Sequence, residues 1–168
     1  MPKGKWNGSR DHLFEISAKS DSSMADDIDT RKSTSGWMVY LNGALVCNKS
    51  ATQKVVATST TEAETNAMVS CAQDMIFVKK QIEQIGLKVK LPMKLECDNK
   101  GAVYLANSYQ VTGRTKHMDT KVHWLRELKE NNVLRVEWIP TDENEADINT
   151  KNVNGALFAK HTAKFMTG

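Results

Sequence analysis

Two glutamates one residue apart, Glu62 and Glu64, head a segment of helical periodicity that begins Thr60-Thr61-Glu62-Ala63-Glu64. Residues two apart on a helix are turned by about 200°, so the two carboxylates point to nearly opposite faces. Steps of three and four from Glu64 reach Ala67, Met68, Cys71, Met75, Val78 and Ile82, an apolar stripe suited to packing on a sheet. The same steps from Glu62 reach Thr65, Asn66, Val69 and Gln73, a mostly polar face. Ser59-x-x-Glu62 also has the form of a capping box, which accounts for Glu62 without chemistry. Glu64 heads the face that buries, where a carboxylate is costly unless a cation meets it. Its alternative is to snorkel to water or to cap an amide at the helix start.

Three further acids stand at comparable positions. Asp21 and Asp98 each end a predicted strand, and ligands gather beyond the carboxyl ends of strands in open α/β sheets. Their alternatives are a turn for Asp21 and a helix N-cap for Asp98. Asp147 lies in Asp142-Glu143-Asn144-Glu145-Ala146-Asp147, after the last strand and Pro140. Acids crowd first helical turns to suit the dipole, which accounts for Asp142, Glu143 and Glu145, but Asp147 sits one turn further in. Were all four to converge, their repulsion would require divalent cations to offset it. Two Mg²⁺ ions about 3.5–4 Å apart form a clamp for in-line phosphodiester displacement, one activating water and the other stabilising the leaving oxygen. No side-chain nucleophile stands out.

The elements that must position these acids are legible in the pattern. Phe14 to Ser20 alternates as a strand ending at Asp21, followed by a long polar loop. Asn42-Gly43 between WMVYL and ALVCN marks a hairpin, and Val55 to Thr58 is a candidate third strand segment beside it. Thr61 to Ile85 is helical and closes at Gly86. Met93 to Cys97 is a strand, Gly101 to Asn107 a helix, Asp119 to Glu130 a helix and Val133 to Ile139 a strand. Asp142 to about Asn152 is predicted as the next helix. Trp37, Trp124 and Trp138 fall in apolar patterns and are expected in the core. Residues 1–12 form a polar lead-in, 13–155 one domain and 156–168 a weakly amphipathic tail. A hairpin followed by strand–helix alternation implies a mixed sheet with helices packed on it.

At 168 residues, with 40% hydrophobic and 26% charged, the chain has the size and composition of one globular domain. A net charge of +3 permits an anionic partner without demanding one. Its three cysteines, Cys47, Cys71 and Cys97, are widely spaced within apolar runs, as buried thiols in a reducing compartment would be. No apolar run approaches membrane-spanning length. The expectation is an intracellular protein without membrane contact, nucleus and cytoplasm being equally open.

Successive blocks resemble a known family: SDSSMADDIDTRKSTSGWMVYLNG, STTEAETNAM, ECDNKGAVYLAN, RTKHMDTKVHWLRE and IPTDENEADINTK. In order and spacing, from about Ala18 to the C-terminus, they are similar to the ribonuclease H domain of copia-type retrotransposon polyproteins. The resemblance implies an RNase H-like α/β fold, a five-stranded mixed sheet with three antiparallel and two parallel strands flanked by helices. It also implies a two-metal nuclease that cuts the RNA strand of an RNA–DNA hybrid with Mg²⁺, or Mn²⁺ in its place. The family's metal-binding acids fall on Asp21, Glu64, Asp98 and Asp147.

Departures are visible. Asp21-Ser22-Ser23-Met24 stands where the family usually has Asp-Ala-Asp-Trp, Asn48 where a Trp is usual, and Thr65 where an aromatic follows the glutamate. These lost aromatics favour a second reading, a domesticated, non-catalytic RNase H-fold subunit serving as scaffold or nucleic-acid-binding part of a larger assembly. Retention of all four acids opposes it, because crowded carboxylates cost stability without metal. The polymerase domain that precedes such domains is missing from this sequence, which suggests a fragment or a stand-alone descendant. Besides the hybrid, the implied partners are a reverse transcriptase domain or a larger assembly.

Hybrid binding requires phosphate contacts and a test for 2′-hydroxyls. The cluster Arg114, Lys116, Lys121, Arg126 and Lys129, with His117 and His123, is a phosphate candidate, and the RTKH block favours Arg114, Lys116 and His117. A solvated helix face is the alternative. Arg31 and Lys32 form a second candidate pair against ordinary loop charge. Asn99 can donate and accept, as a 2′-hydroxyl contact needs, or cap a helix.

Overall fold

Asn42 and Gly43 take φ values of 49° and 79°, the paired left-handed positions of a type I′ turn. They join β3 (Thr34–Leu41) to β4 (Ala44–Thr52), the hairpin on which the sheet is built. The computed structural model describes residues 8–25, 27–108 and 116–166. Its other strands are β1 (Leu13–Phe14), β2 (Ile16–Ser23), β5 (Lys88–Val89), β6 (Met93–Cys97) and β7 (Leu134–Trp138). The helices are α1 (Thr60–Gln84), α2 (Lys100–Asn107), α3 (Lys116–Glu130) and α4 (Gly155–Met166).

The main sheet has five strands in the order β4-β3-β2-β6-β7. β2, β3 and β4 pair antiparallel, whereas β6 runs parallel to β2 and β7 parallel to β6. This is the mixed sheet expected from the sequence. β1 and β5 form a separate two-stranded parallel pair.

One face of the sheet carries the apolar core. Ile16 and Ala18 of β2, Trp37 and Val39 of β3, and Leu95 and Cys97 of β6 meet Met68, Cys71 and Met75 of α1. Ala102 and Ala106 of α2 and Leu125 of α3 complete it. The stripe that begins at Glu64 is therefore the buried face of α1, as its periodicity requires. Ser59 caps the helix by accepting from the Glu62 N–H at 3.1 Å. The Glu62 carboxylate reaches back one residue further than a capping box, accepting from the N–H and the hydroxyl of Thr58 at 2.7 Å each. Gly86, at φ 82°, closes the C-terminus.

The opposite face is covered by the chain after β7, and here the expected helix over Asp142 to Asn152 is corrected. Two short 3-10 segments, Thr141–Glu143 and Glu145–Asn149, occupy the region. Asn144 separates them with extended backbone, φ −90° and ψ 95°. Its side chain explains the break: Nδ2 donates to the Ser20 carbonyl at 2.9 Å, while Oδ1 accepts from the Ala146 N–H. Glu145, expected as a helix-dipole acid, is buried and ion-paired with Lys19 of β2 at 2.5 Å and with Lys164 of α4. The stretch read as a tail carries α4, which packs on this segment and buries His161 against it.

Other differences have local causes. β2 continues past Asp21 to Ser23, because Ser22 and Ser23 still pair with Ser35 and Thr34. Val55 to Thr58 forms no strand, and Val55 is 64% exposed. α3 begins three residues early, at Lys116. Trp138 lies outside the core, 43% exposed at the end of β7, with its indole N–H on the Asp98 carbonyl.

Candidate metal centre

Four elements converge at one end of the sheet, each bringing one carboxylate. Asp21 projects from β2 toward the 3-10 side and is fully buried. Glu64 comes from the start of α1, Asp98 follows β6 directly, and Asp147 lies in the second 3-10 segment. Oxygen atoms of Asp21, Asp98 and Asp147 lie within 4.8 Å of one another. Ligand atoms of Glu64, Cys97 and Asp98 form a second such group. Asp98 belongs to both, so the four acids make one continuous cluster.

Each acid is held by named partners. The Ser22 N–H donates to Glu64 Oε1 at 3.2 Å, and the Cys97 thiol lies 3.7 Å from Oε2. Thr150 Oγ1 donates to Asp21 Oδ2. Lys151 Nζ reaches Asp21 Oδ1 at 3.2 Å and Asp147 Oδ1 at 2.9 Å, bridging the two. The indole N–H of Trp138 donates to the Asp98 carbonyl at 2.9 Å. Lys100 Nζ stands 4.6 Å from the centroid of the Trp138 ring.

The electrostatics are those of anions crowded in a low dielectric. Burial raises the Asp21 carboxyl to about 7; Asp147 and Asp98 push the same way, while Thr150 and Lys151 oppose. Burial raises Glu64 to about 8, aided by Asp21 and Asp98 and opposed by Ser22. Burial works against the Lys151 charge, yet Asp21 and Asp147 outweigh it and hold the ammonium well above its ordinary value. Oxygen donors and surplus negative charge suit a hard divalent cation.

Several participants were not singled out from the sequence. Lys151 follows Asp147 by four residues, a spacing that signals an ion pair on a helix and could have flagged it. Thr150, Asn144 and Glu145 carried no such signal, since their partners lie in β2 and α4. Asn48, which replaces the usual Trp, accepts from Asn149 Nδ2 at 2.5 Å and ties β4 to the 3-10 segment.

The nucleic-acid candidates come from several elements. Arg31 is exposed, with φ 56°, and Lys32 half-buried in the loop from 24 to 33 that Asp27 folds back by accepting from Asp29 and Thr30. Asn99 caps α2, its Oδ1 accepting from the Ala102 N–H at 2.9 Å. Arg114 lies outside the described residues, and Lys116 and His117 open α3. Lys121 donates to Asn66 Oδ1 at 2.6 Å, whereas Arg126 and Lys129 bond the Leu105 and Asn107 carbonyls at the end of α2.

Sheet order and the flanking helices define an RNase H-like domain, and solved structures agree. The RNase H1 isolated from compost by a metagenomic approach, in complex with RNA/DNA hybrid, aligns with a TM-score of 0.60 at 18% identity, over 81% of this chain and 94% of that one. The N-terminal RNase H domain of a Mycobacterium tuberculosis protein aligns at 0.59 and 11% identity, over 89% and 96%. In sequence, the chain is 40% identical over 133 residues to the retrovirus-related Pol polyprotein of the Nicotiana tabacum transposon TNT 1-94. It is 30% identical over 153 residues to that of the Arabidopsis thaliana transposon RE1. These alignments cover 79% and 91% of this chain and 10% of each polyprotein. No family model matches. The chain is homologous to a segment of copia-type retrotransposon Pol polyproteins, and that segment has the fold of RNase H domains.

Proposed function

We propose that this domain hydrolyses the RNA strand of RNA–DNA hybrids using divalent cations held by Asp21, Glu64, Asp98 and Asp147. The observation that carries this reading is the meeting of four carboxylates from four separate elements at one sheet end. Two such cations, when bound, would supply Lewis-acid stabilisation and a water activated for attack. The chain itself orients the ligands. Ser22 and Cys97 aim the Glu64 carboxylate, Thr150 fixes that of Asp21, and the Trp138 indole holds the Asp98 backbone. Partners of this kind matter to metal sites because they set ligand orientation before the ion arrives.

Substrate grip is assigned to the basic candidates and Asn99. Arg31 is exposed and Lys32 half-buried in the chain after β2, Lys116 and His117 open α3, and Arg114 is carried as a candidate from the sequence. Such cations supply sequence-independent phosphate contacts. Asn99 has committed its oxygen to the cap of α2, so contact with a 2′-hydroxyl falls to its Nδ2 donor. A reverse transcriptase domain or a larger assembly is the proposed partner, the relatives being polyproteins.

The test is cleavage of labelled RNA in a hybrid with Mg²⁺, with Mn²⁺ and with chelator, alongside Asp98→Asn. Cleavage by the parent only with metal, and none by the folded variant, is expected. Full activity of Asp98→Asn sinks the assignment. A folded parent that neither cleaves hybrid nor is stabilised by metal moves the domain to the non-catalytic scaffold reading. Among the described residues no helix is long and apolar enough to cross a membrane.

A further inference from the structure

Among the described residues, Lys151 is the one side chain that bridges the carboxylates of two of the four acids, and its setting is asymmetric. Its Nζ contacts one oxygen of Asp21 and one of Asp147, whose side chains are 0% and 5% exposed, while its own is 41% exposed. The ammonium end thus sits between the two carboxylates, and the lysine stem reaches it from the solvent side. An open polar cavity of about 510 Å³ borders the residue, lined by Ser23, Ile148, Asn149, Thr150 and Asn152. A rotation of the stem has somewhere to place the ammonium in water.

We propose that Lys151 is a built-in counter-ion, occupying the cation position between Asp21 and Asp147 until a divalent ion displaces it. The proposal rests on the metal reading above and adds what sets the occupancy of that site. In the metal-free state two buried carboxylates without a cation would repel each other and the surrounding protein, and removing one partner of such a group is strongly destabilising. Lys151 therefore supports the fold before metal arrives. It does so by occupying one oxygen of each carboxylate that would otherwise be open to an ion. Apparent metal affinity is reduced by the fraction of molecules in which the position is open. The same contact stabilises the apo domain and weakens its metal binding, so the two effects must move in opposite directions on substitution. Thr150 keeps the arrangement selective for exchange at one oxygen, because its hydroxyl is bound to the other oxygen of Asp21.

The experiment is calorimetric titration of the purified protein with Mn²⁺, paired with thermal unfolding in chelator and in saturating Mn²⁺. The variants are Lys151→Met, Lys151→Gln and the charge-retaining Lys151→Arg. If an open position is the minority state, Lys151→Met and Lys151→Gln should lower the half-saturating Mn²⁺ concentration by about tenfold or more. Their Tm should fall in chelator and recover in Mn²⁺, while Lys151→Arg stays near the parent in both. A Met variant that folds only when Mn²⁺ is added supports the proposal, and the Gln variant then supplies the midpoint. An unchanged or higher midpoint in the neutral variants, with the parent binding metal normally, overturns the counter-ion role and leaves the metal reading intact. No ion bound by the parent or by any variant overturns both.

Discussion

The backbone N–H of Ser22 donates to the Glu64 carboxylate across 3.2 Å, joining the end of β2 to the head of α1 over 42 residues of sequence. An amide oxygen still accepts that bond, though it carries no charge and binds a cation weakly. Glu64→Gln is therefore expected to keep the fold and an undiminished Tm in chelator while losing the stabilisation that Mg²⁺ gives the parent. Hybrid cleavage should fall by more than the roughly 10–100-fold that loss of a ligand's supporting partner costs. Thermal unfolding with and without Mg²⁺, beside the cleavage assay, checks both halves.

The raised carboxyls predict an unusual pH dependence for the metal-free protein. Asp21 and Glu64 bind protons more tightly folded than unfolded, about 7 against 3.8 and about 8 against 4.5. Their contribution is fully present below the unfolded values and is lost as pH rises through about 7 and 8. In chelator, stability from denaturant titration should decline from pH 5 to pH 8.5, and Glu64→Gln should flatten part of that slope. A stability that climbs over the same range in the parent contradicts the assignment.

Glu145 is the ion-pair partner of both Lys19 and Lys164 and pins the 3-10 segment to β2 and α4. Glu145→Ala leaves Lys19 mostly buried without its anion, while Lys164 can turn to water. A loss of about 3 kcal/mol is expected, the lower end of what breaking a buried pair costs. Urea unfolding measures it, and a change below the scatter of surface substitutions would show the pairs to be ornamental.

Gly36 stands opposite Asp21 in the β2–β3 register, beneath the segment that carries Asp147. A Cβ there would lie 2.7 Å from both Asn149 Cβ and Thr150 Cγ2 and 3.1 Å from the Ala146 carbonyl. Gly36→Ala must push this segment away from the sheet, at a cost of about 1–3 kcal/mol by the usual measure of overpacking. Because Thr150 and Lys151 move with it, half-saturating Mg²⁺ should change as well as Tm. A Tm shift with unchanged metal binding would separate packing from the site.

Local physics wrote part of this protein plainly. Asn42-Gly43 demanded a hairpin because both residues tolerate positive φ, and Gly86 closed α1 for the same reason. Helical periodicity turned Glu64 toward the core and Glu62 toward the cap, and the family blocks joined Asp21, Asp98 and Asp147 to it. Hairpin and strand–helix alternation also carried a mixed sheet with helices packed on it, and the family resemblance supplied its five strands. Tertiary structure decided what depends on partners distant along the chain. Asn144 breaks a helix that its neighbours favour because its amide finds the Ser20 carbonyl 124 residues away. Trp138 leaves the core at the strand end, where its indole meets the Asp98 carbonyl, and Glu145 becomes buried because two lysines from β2 and α4 reach it. Lys151 takes its place between Asp21 and Asp147 for the same reason. A carboxylate's position is set by its own element, but its charge balance is set by whatever the fold brings within a few ångströms.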